Sequence, residues 1–132
     1  MQSNNSWTVE KVFSGFPDSF KLFEYVKIFI ESLGNVAVTP TKTQVSFGVK
    51  RKFAWVWLPQ MWIKKASRDC IVLTFSLDRR LADGRIKESK EPYPGRFTHH
   101  VVIEKLSDFD ETVKGWLREA YDLASAAKRK RI

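Results

Sequence analysis

Between Lys42 and Pro59 the chain reads KTQVSFGVKRKFAWVWLP, and its alternation predicts two adjacent strands joined by a basic turn. In Thr43–Lys50, Val45, Phe47 and Val49 alternate with Gln44, Ser46 and Gly48, the pattern of a strand with one buried face. In Lys52–Leu58 neither set is polar: Phe53, Trp55 and Trp57 alternate with Ala54, Val56 and Leu58. That pattern predicts a central strand, or one whose second face meets a partner. Two further strands follow. Cys70–Leu77 carries Ile71, Leu73, Phe75 and Leu77 on one face, and Phe97–Glu104 carries Phe97, His99, Val101 and Ile103 on one face. Val36–Thr39 is a short β-type segment, and Trp62–Lys65 reads as a short extended piece. Asp78–Gly95, charged and containing Gly84, Pro92, Pro94 and Gly95, is predicted to be a long irregular segment, mobile or functional.

Helical spacing flanks this β region. Thr8 is placed to cap a short helix over Val9–Ser14, which Gly15 and Pro17 end. Asp18 is placed to cap a second, running to about Leu33 with Gly34 as its stop. Phe20, Phe23, Val26, Ile30 and Leu33 give it a core-facing stripe. Ser107–Asp110 resembles a capping box opening a last helix from Asp108 to about Lys128, with Phe109, Val113, Trp116, Leu117, Ala120, Tyr121 and Ala124 on one face. The order predicts an α+β domain: a mainly antiparallel sheet of about five strands, with N-terminal helices and a long C-terminal helix packed on it. There is no βαβ alternation and no glycine-rich phosphate loop, which excludes Rossmann and P-loop readings.

A length of 132 residues gives one domain, with about 7–127 as ordered core and 128–132 as a basic tail. The net charge of +8 favours polyanionic partners, although Lys128–Arg131 supplies four of those charges in a run that reads as a solvated end. The lone Cys70 precludes an internal disulfide and fits a reducing compartment. No apolar run is long enough to cross a bilayer, and Met1–Trp7 lacks the features of a signal peptide, so the expected location is the cytoplasm.

WTVEKVFSG, TKTQVSFGVKRKFAWV, FTHHVVI and WLREAYDLA occur in this order. As a set they resemble a family of small bacterial domains of unknown function, sometimes labelled a predicted transport protein and also found appended to nuclease-like or other domains. The resemblance runs from about Trp7 to Ala124. It implies a small α+β domain with no established activity, with Lys42, Phe47, Arg51, Phe53, His99, Trp116 and Tyr121 as the matching positions. The basic ending and the Asp78–Gly95 segment fall outside that pattern.

Several chemistries are weighed against plainer roles. His99 and His100 are strand neighbours pointing to opposite faces, so they cannot chelate one ion, and no metal or cofactor is expected. Their plainer reading is a hydrogen-bonded core histidine and a surface one. Cys70 could meet His99 as thiolate and base, but it opens an apolar strand, the usual place of an inert thiol. Glu88-Ser-Lys90 imitates a nuclease carboxylate motif, yet it lies in KESKEPYPG, which reads as a solvated loop. Lys42, Arg51 and Arg96 lie at strand ends or turns near Trp55 and Trp57, an association that can hold phosphates and stack bases. The competing reading makes those aromatics core and Lys50-Arg51-Lys52 a wet turn. His99 is the polar group expected in any pocket between sheet and last helix, with Tyr121 and Lys42 as neighbours. The sequence therefore favours a non-enzymatic module binding an anionic small molecule, nucleic acid or an acidic protein. The alternatives are a homodimer closing over the doubly apolar strand, and an enzyme with a His99-centred pocket.

Overall fold

The protein is described by a computed structural model over residues 7–59 and 70–126. The extended piece expected at 62–65 and the basic tail lie outside the described residues. Within them, β1 (Ala37–Pro40), β2 (Gln44–Gly48), β3 (Lys52–Trp57), β4 (Ile71–Leu77), β5 (Ile86–Tyr93) and β6 (Arg96–Ile103) form one sheet in the order β1-β2-β3-β4-β6-β5. Every neighbouring pair is antiparallel. With α1 (Val9–Val12), α2 (Pro17–Glu31) and α3 (Glu111–Ser125), this is the expected α+β architecture, with six strands instead of about five.

The sixth strand is β5, inside the segment read as irregular. Its sequence, IKESKEPY, lacks an apolar stripe because an outer strand with little to bury needs none. Charged side chains and Pro92 also blunt an edge that would otherwise pair with another chain. Glu88 and Lys90 accordingly stand on a strand rather than in a loop.

Helix boundaries follow local chemistry. The Thr8 hydroxyl accepts the Lys11 amide at the start of α1. Pro17 opens α2 at a position where its missing N–H costs no hydrogen bond; Phe16 rather than Asp18 stands at the cap, so the helix begins two residues earlier than expected and Asp18 lies in its first turn. In α3 the cap is Asp110, accepting from the Val113 amide, not Ser107. The residues expected to begin that helix instead make a 3-10 turn, Leu106–Asp108, in which the Asp108 carboxylate accepts from the Glu104 and Lys105 amides.

All three helices cover one face of the sheet. Phe23 of α2 stacks on Phe47, Trp116 of α3 stacks on Phe75, and Tyr121 of α3 meets Phe53 edge-on. Ion pairs fasten the loop after β4 to α3: Arg79 makes two 2.9 Å bonds to Glu119, and Arg85 reaches Asp110 at 2.8 Å while lying over the Trp116 ring.

Strict alternation would place Phe53 with Trp55 and Trp57. Instead the β2–β3 register passes from Phe47↔Ala54 to Gly48↔Lys52, leaving Phe53 as an extra residue. Such a bulge turns one additional side chain to the same side as its neighbour. Phe53 thereby joins Ala54 on the helix face and is buried, while the two indoles remain on the other.

Candidate functional site on the open face of the sheet

Cross-strand pairing places Thr39, Ser46, Trp55, Thr74, His100 and Glu88 in one row across all six strands, on the face away from the helices. The middle of the row is bonded together. The Trp57 indole N–H, from the adjacent row, donates to Thr74 Oγ1 at 2.9 Å, and Thr74 Oγ1 lies 2.7 Å from His100 Nδ1. With Trp57 donating, the Thr74 proton is assigned to His100 Nδ1, leaving the ring proton on Nε2, which faces Glu88 at 3.6 Å. Burial lowers the His100 pKa, Glu88 opposes that shift, and Lys90 adds to it.

Towards the β2–β3 and β5–β6 turns the face deepens into a groove of about 410 Å³. Trp55, Ser76 and Thr98 lie within it, Arg51, Lys52 and Arg96 bring its positive charge, and Pro92 and Tyr93 complete the lining. Arg96 lies over the Tyr93 ring, 5.3 Å from its centroid. Partial burial, and then the nearby charge of Arg96, lower the Arg51 pKa from its ordinary value. Among the described residues neither guanidinium has a carboxylate within ion-pair distance. The Ser76 Oγ is buried and has no hydrogen-bond partner there either. A second groove of about 270 Å³, lined by Gln44, Trp55, Trp57, Thr74, Thr98 and His100, shares Trp55 and Thr98 with the first.

The residues singled out from sequence separate into three places. Arg51, Arg96 and Trp55 meet in the larger groove, and Trp57 lies in the second. Lys42 does not join them: it is exposed in the β1–β2 turn, at the other end of β2, about 17 Å of strand away from the β2–β3 turn. His99 and Tyr121 are on the helix side. His99 is fully buried, stacked on Phe75, and its Nε2 accepts the Leu81 amide at 3.1 Å. Burial, reinforced by Arg80 and Arg79, lowers its pKa against the opposing effect of the Phe75 main chain. It is the neutral core histidine of the plainer reading and lines neither groove. Tyr121 has its hydroxyl where a side chain at Gly34 would otherwise stand, so it locks α3 over the end of α2. Cys70 immediately precedes β4, whereas His99 pairs with Phe75 five residues on, about 17 Å along the strand, so thiol and imidazole cannot act together.

His100 is the member of this candidate site that the sequence did not single out, its plainer reading being a surface histidine. It is half-buried and bonded to its strand neighbours. The alternation of β6 already put it opposite His99; what was missing was the Thr74 and Glu88 register, which only pairing supplies. Ser76 and Thr98 escaped notice for the same reason.

Hydroxyl, imidazole and carboxylate in series have the parts of a nucleophilic relay. The surroundings do not suit one. Acyl transfer needs N–H donors aimed at the reacting oxygen, and the main-chain groups around Thr74 are engaged by β3 and β6 on either side. No group of three or more metal-ligating side chains occurs among the described residues. What the face offers is fixed hydrogen-bonding groups, two partly exposed indoles and paired cations.

Architecture and face together define a small α+β domain with its helices on one side of a six-stranded antiparallel sheet and its other side left partly open. The chain belongs to the family described as Domain of unknown function (DUF5655), whose pattern matches residues 9–124, from α1 to the last turn of α3. No curated protein and no solved structure matches it. Among the described residues no helix is long and apolar enough to cross a membrane.

Proposed function

We propose that this domain is a non-enzymatic binding module whose open sheet face receives an anionic ligand. The observation that carries the reading is the approach of Arg51 and Arg96 on one groove without a carboxylate between them among the described residues. Like charges held together raise the free energy of the empty protein, and an anion lowers it. Lys52 adds a third positive charge to the same lining. Lys42, at the far end of β2, belongs to the general positive field rather than to this groove.

Retention on a sulfated polyanion column, eluted by salt, tests the reading. Replacing Arg51 and Arg96 together by methionine is expected to shift elution to clearly lower salt while the folded spectrum persists. Unchanged elution would remove the groove from consideration and leave the terminal basic run as the source of any affinity.

A homodimer is the second reading, and one observation favours it: Trp55 is only half-buried in the centre of the open face. A copy seated there would cover it. Light scattering over a wide concentration range decides the matter, since a constant monomer mass excludes the dimer.

A further inference from the structure

We propose that the anion accepted by this face is the backbone of a single-stranded nucleic acid, with a phosphate between Arg51 and Arg96 and a base stacked on Trp55. This inference rests on the anion-binding reading and narrows it.

A bare anion would need the arginines and little else. The structure places an indole beside them, and that indole makes no hydrogen bond or ring contact among the described residues. Trp55 stands where the two grooves join, so a group passing from one to the other crosses its ring. Ser76 also lines the cationic groove, its buried Oγ having no hydrogen-bond partner among the described residues. Among the described residues the neighbouring groove has no charged side chain in its lining apart from His100 when protonated. Gln44, Thr74 and Thr98 there are neutral donors and acceptors of the kind that read base edges. Charge followed by an aromatic face followed by neutral polar groups is the sequence of chemistries along a nucleotide: phosphate, then a flat ring, then its hydrogen-bonding edge.

The shape of the site selects the single strand. A duplex keeps its bases stacked on one another and offers an open sheet only its backbone, which would leave Trp55 unused. An unpaired strand can lay a base flat on the ring. An acidic peptide satisfies the arginines but has no planar group in a fixed relation to its charge.

The experiment uses the full chain and fluorescently labelled oligonucleotides of about a dozen residues, followed by anisotropy. Four competitors are compared at equal ionic strength: an unpaired pyrimidine strand, the same backbone without bases, a duplex, and polyglutamate. The inference expects the unpaired strand to bind at least about tenfold more tightly than the baseless backbone, the duplex or polyglutamate. Trp55→Ala should lose about tenfold on the unpaired strand and nothing on the baseless one, whereas Trp55→Phe should retain most of the affinity. The Arg51→Met, Arg96→Met double variant should reduce the slope of log K against log salt by about 0.7 per lost phosphate contact.

Circular dichroism of each variant separates lost binding from lost folding, and Trp55→Leu, expected to lose as much affinity as the alanine variant, serves if alanine unfolds the chain. Equal affinity for all four polyanions, with no effect of Trp55→Ala, would overturn this inference and leave the anion-binding reading intact. Tighter binding of duplex or polyglutamate would also overturn it. Binding to none of them would overturn both. The terminal Lys128–Arg131 run cannot imitate the expected result, because charge alone does not distinguish a backbone with bases from one without.

Discussion

Two rows of side chains lie back to back across the same strands, and they have opposite characters. On the helix side the row is Val38, Phe47, Ala54, Phe75, His99 and Ser89; on the open side it is Thr39, Ser46, Trp55, Thr74, His100 and Glu88. Each row contains a histidine, and the two are chain neighbours. His99 is sealed among rings and accepts one main-chain amide, so it acts as a packing residue with a satisfied nitrogen. His100 is held by Thr74 and faces Glu88, so its protonation state is coupled to groups that a ligand would touch. The lesson is that residue type alone did not assign these roles; the helices did, by covering one side.

If the two faces differ as described, substitutions should divide into those that unfold the protein and those that spare it. The largest effect is expected from Phe75→Ala. It removes a fully buried ring that contacts both His99 and Trp116, and should cost about 3–5 kcal/mol in chemical denaturation. A loss below about 1 kcal/mol would mean the helix side is not the sole core.

Next comes Thr74→Val, on the opposite row. It keeps the shape but removes the hydroxyl joining Trp57 to His100, and should cost about 1–2 kcal/mol by the same measurement. The expected by-product is a changed His100 titration in NMR, which a purely steric effect would not give.

Acid stability sharpens the comparison further. Both histidines have folded pKa values lowered from 6.5, chiefly by burial. A lowered value means that the unfolded chain binds more protons in the window between the folded value and 6.5, so stability there rises with pH. Stability should therefore be level above the ordinary histidine range, decline as pH falls below it, and level off again once both folded values are passed. Titration of the denaturation midpoint from neutral to mildly acid pH checks this. His99→Gln should flatten part of the decline, and a profile unchanged by that substitution would contradict the buried, neutral state of His99.

The smallest stability effect is expected from Trp55→Ala, about 1 kcal/mol or less, because the indole is half-exposed and makes no ring contact among the described residues. The comparison breaks if Trp55→Ala proves as destabilising as Phe75→Ala, for then the open face would be a second core.

Much of the fold was legible in advance. The period-two patterns of β2, β4 and β6 gave each of those strands its buried set, because one covered face imposes alternation. The helical stripe ending in Ala120, Tyr121 and Ala124 gave α3 for the same reason. Three features were not legible. β5 has no apolar stripe, since an edge strand buries little. The Phe53 bulge breaks the alternation by one residue, and nothing in FAWVW marks where. Which cations share one end of the sheet depends on strand pairing, so Arg96, at the β5–β6 turn, could not be matched to Arg51 rather than to Lys42, although the strand expected over Thr43–Lys50 already set those two apart. The site was correspondingly half-legible: cations and indoles could be named, but their companions Ser76, Thr98 and His100 come from strands far away in the chain.

The two rims of the sheet carry one more implication. The outermost strands are β1, ending in Pro40, and β5, charged and interrupted by Pro92. Neither invites an incoming chain to zip on in parallel or antiparallel fashion. A partner is therefore expected to approach broadside rather than along an edge. At high concentration it should resist growing into ribbons, whatever it gains or loses by lying flat against something else.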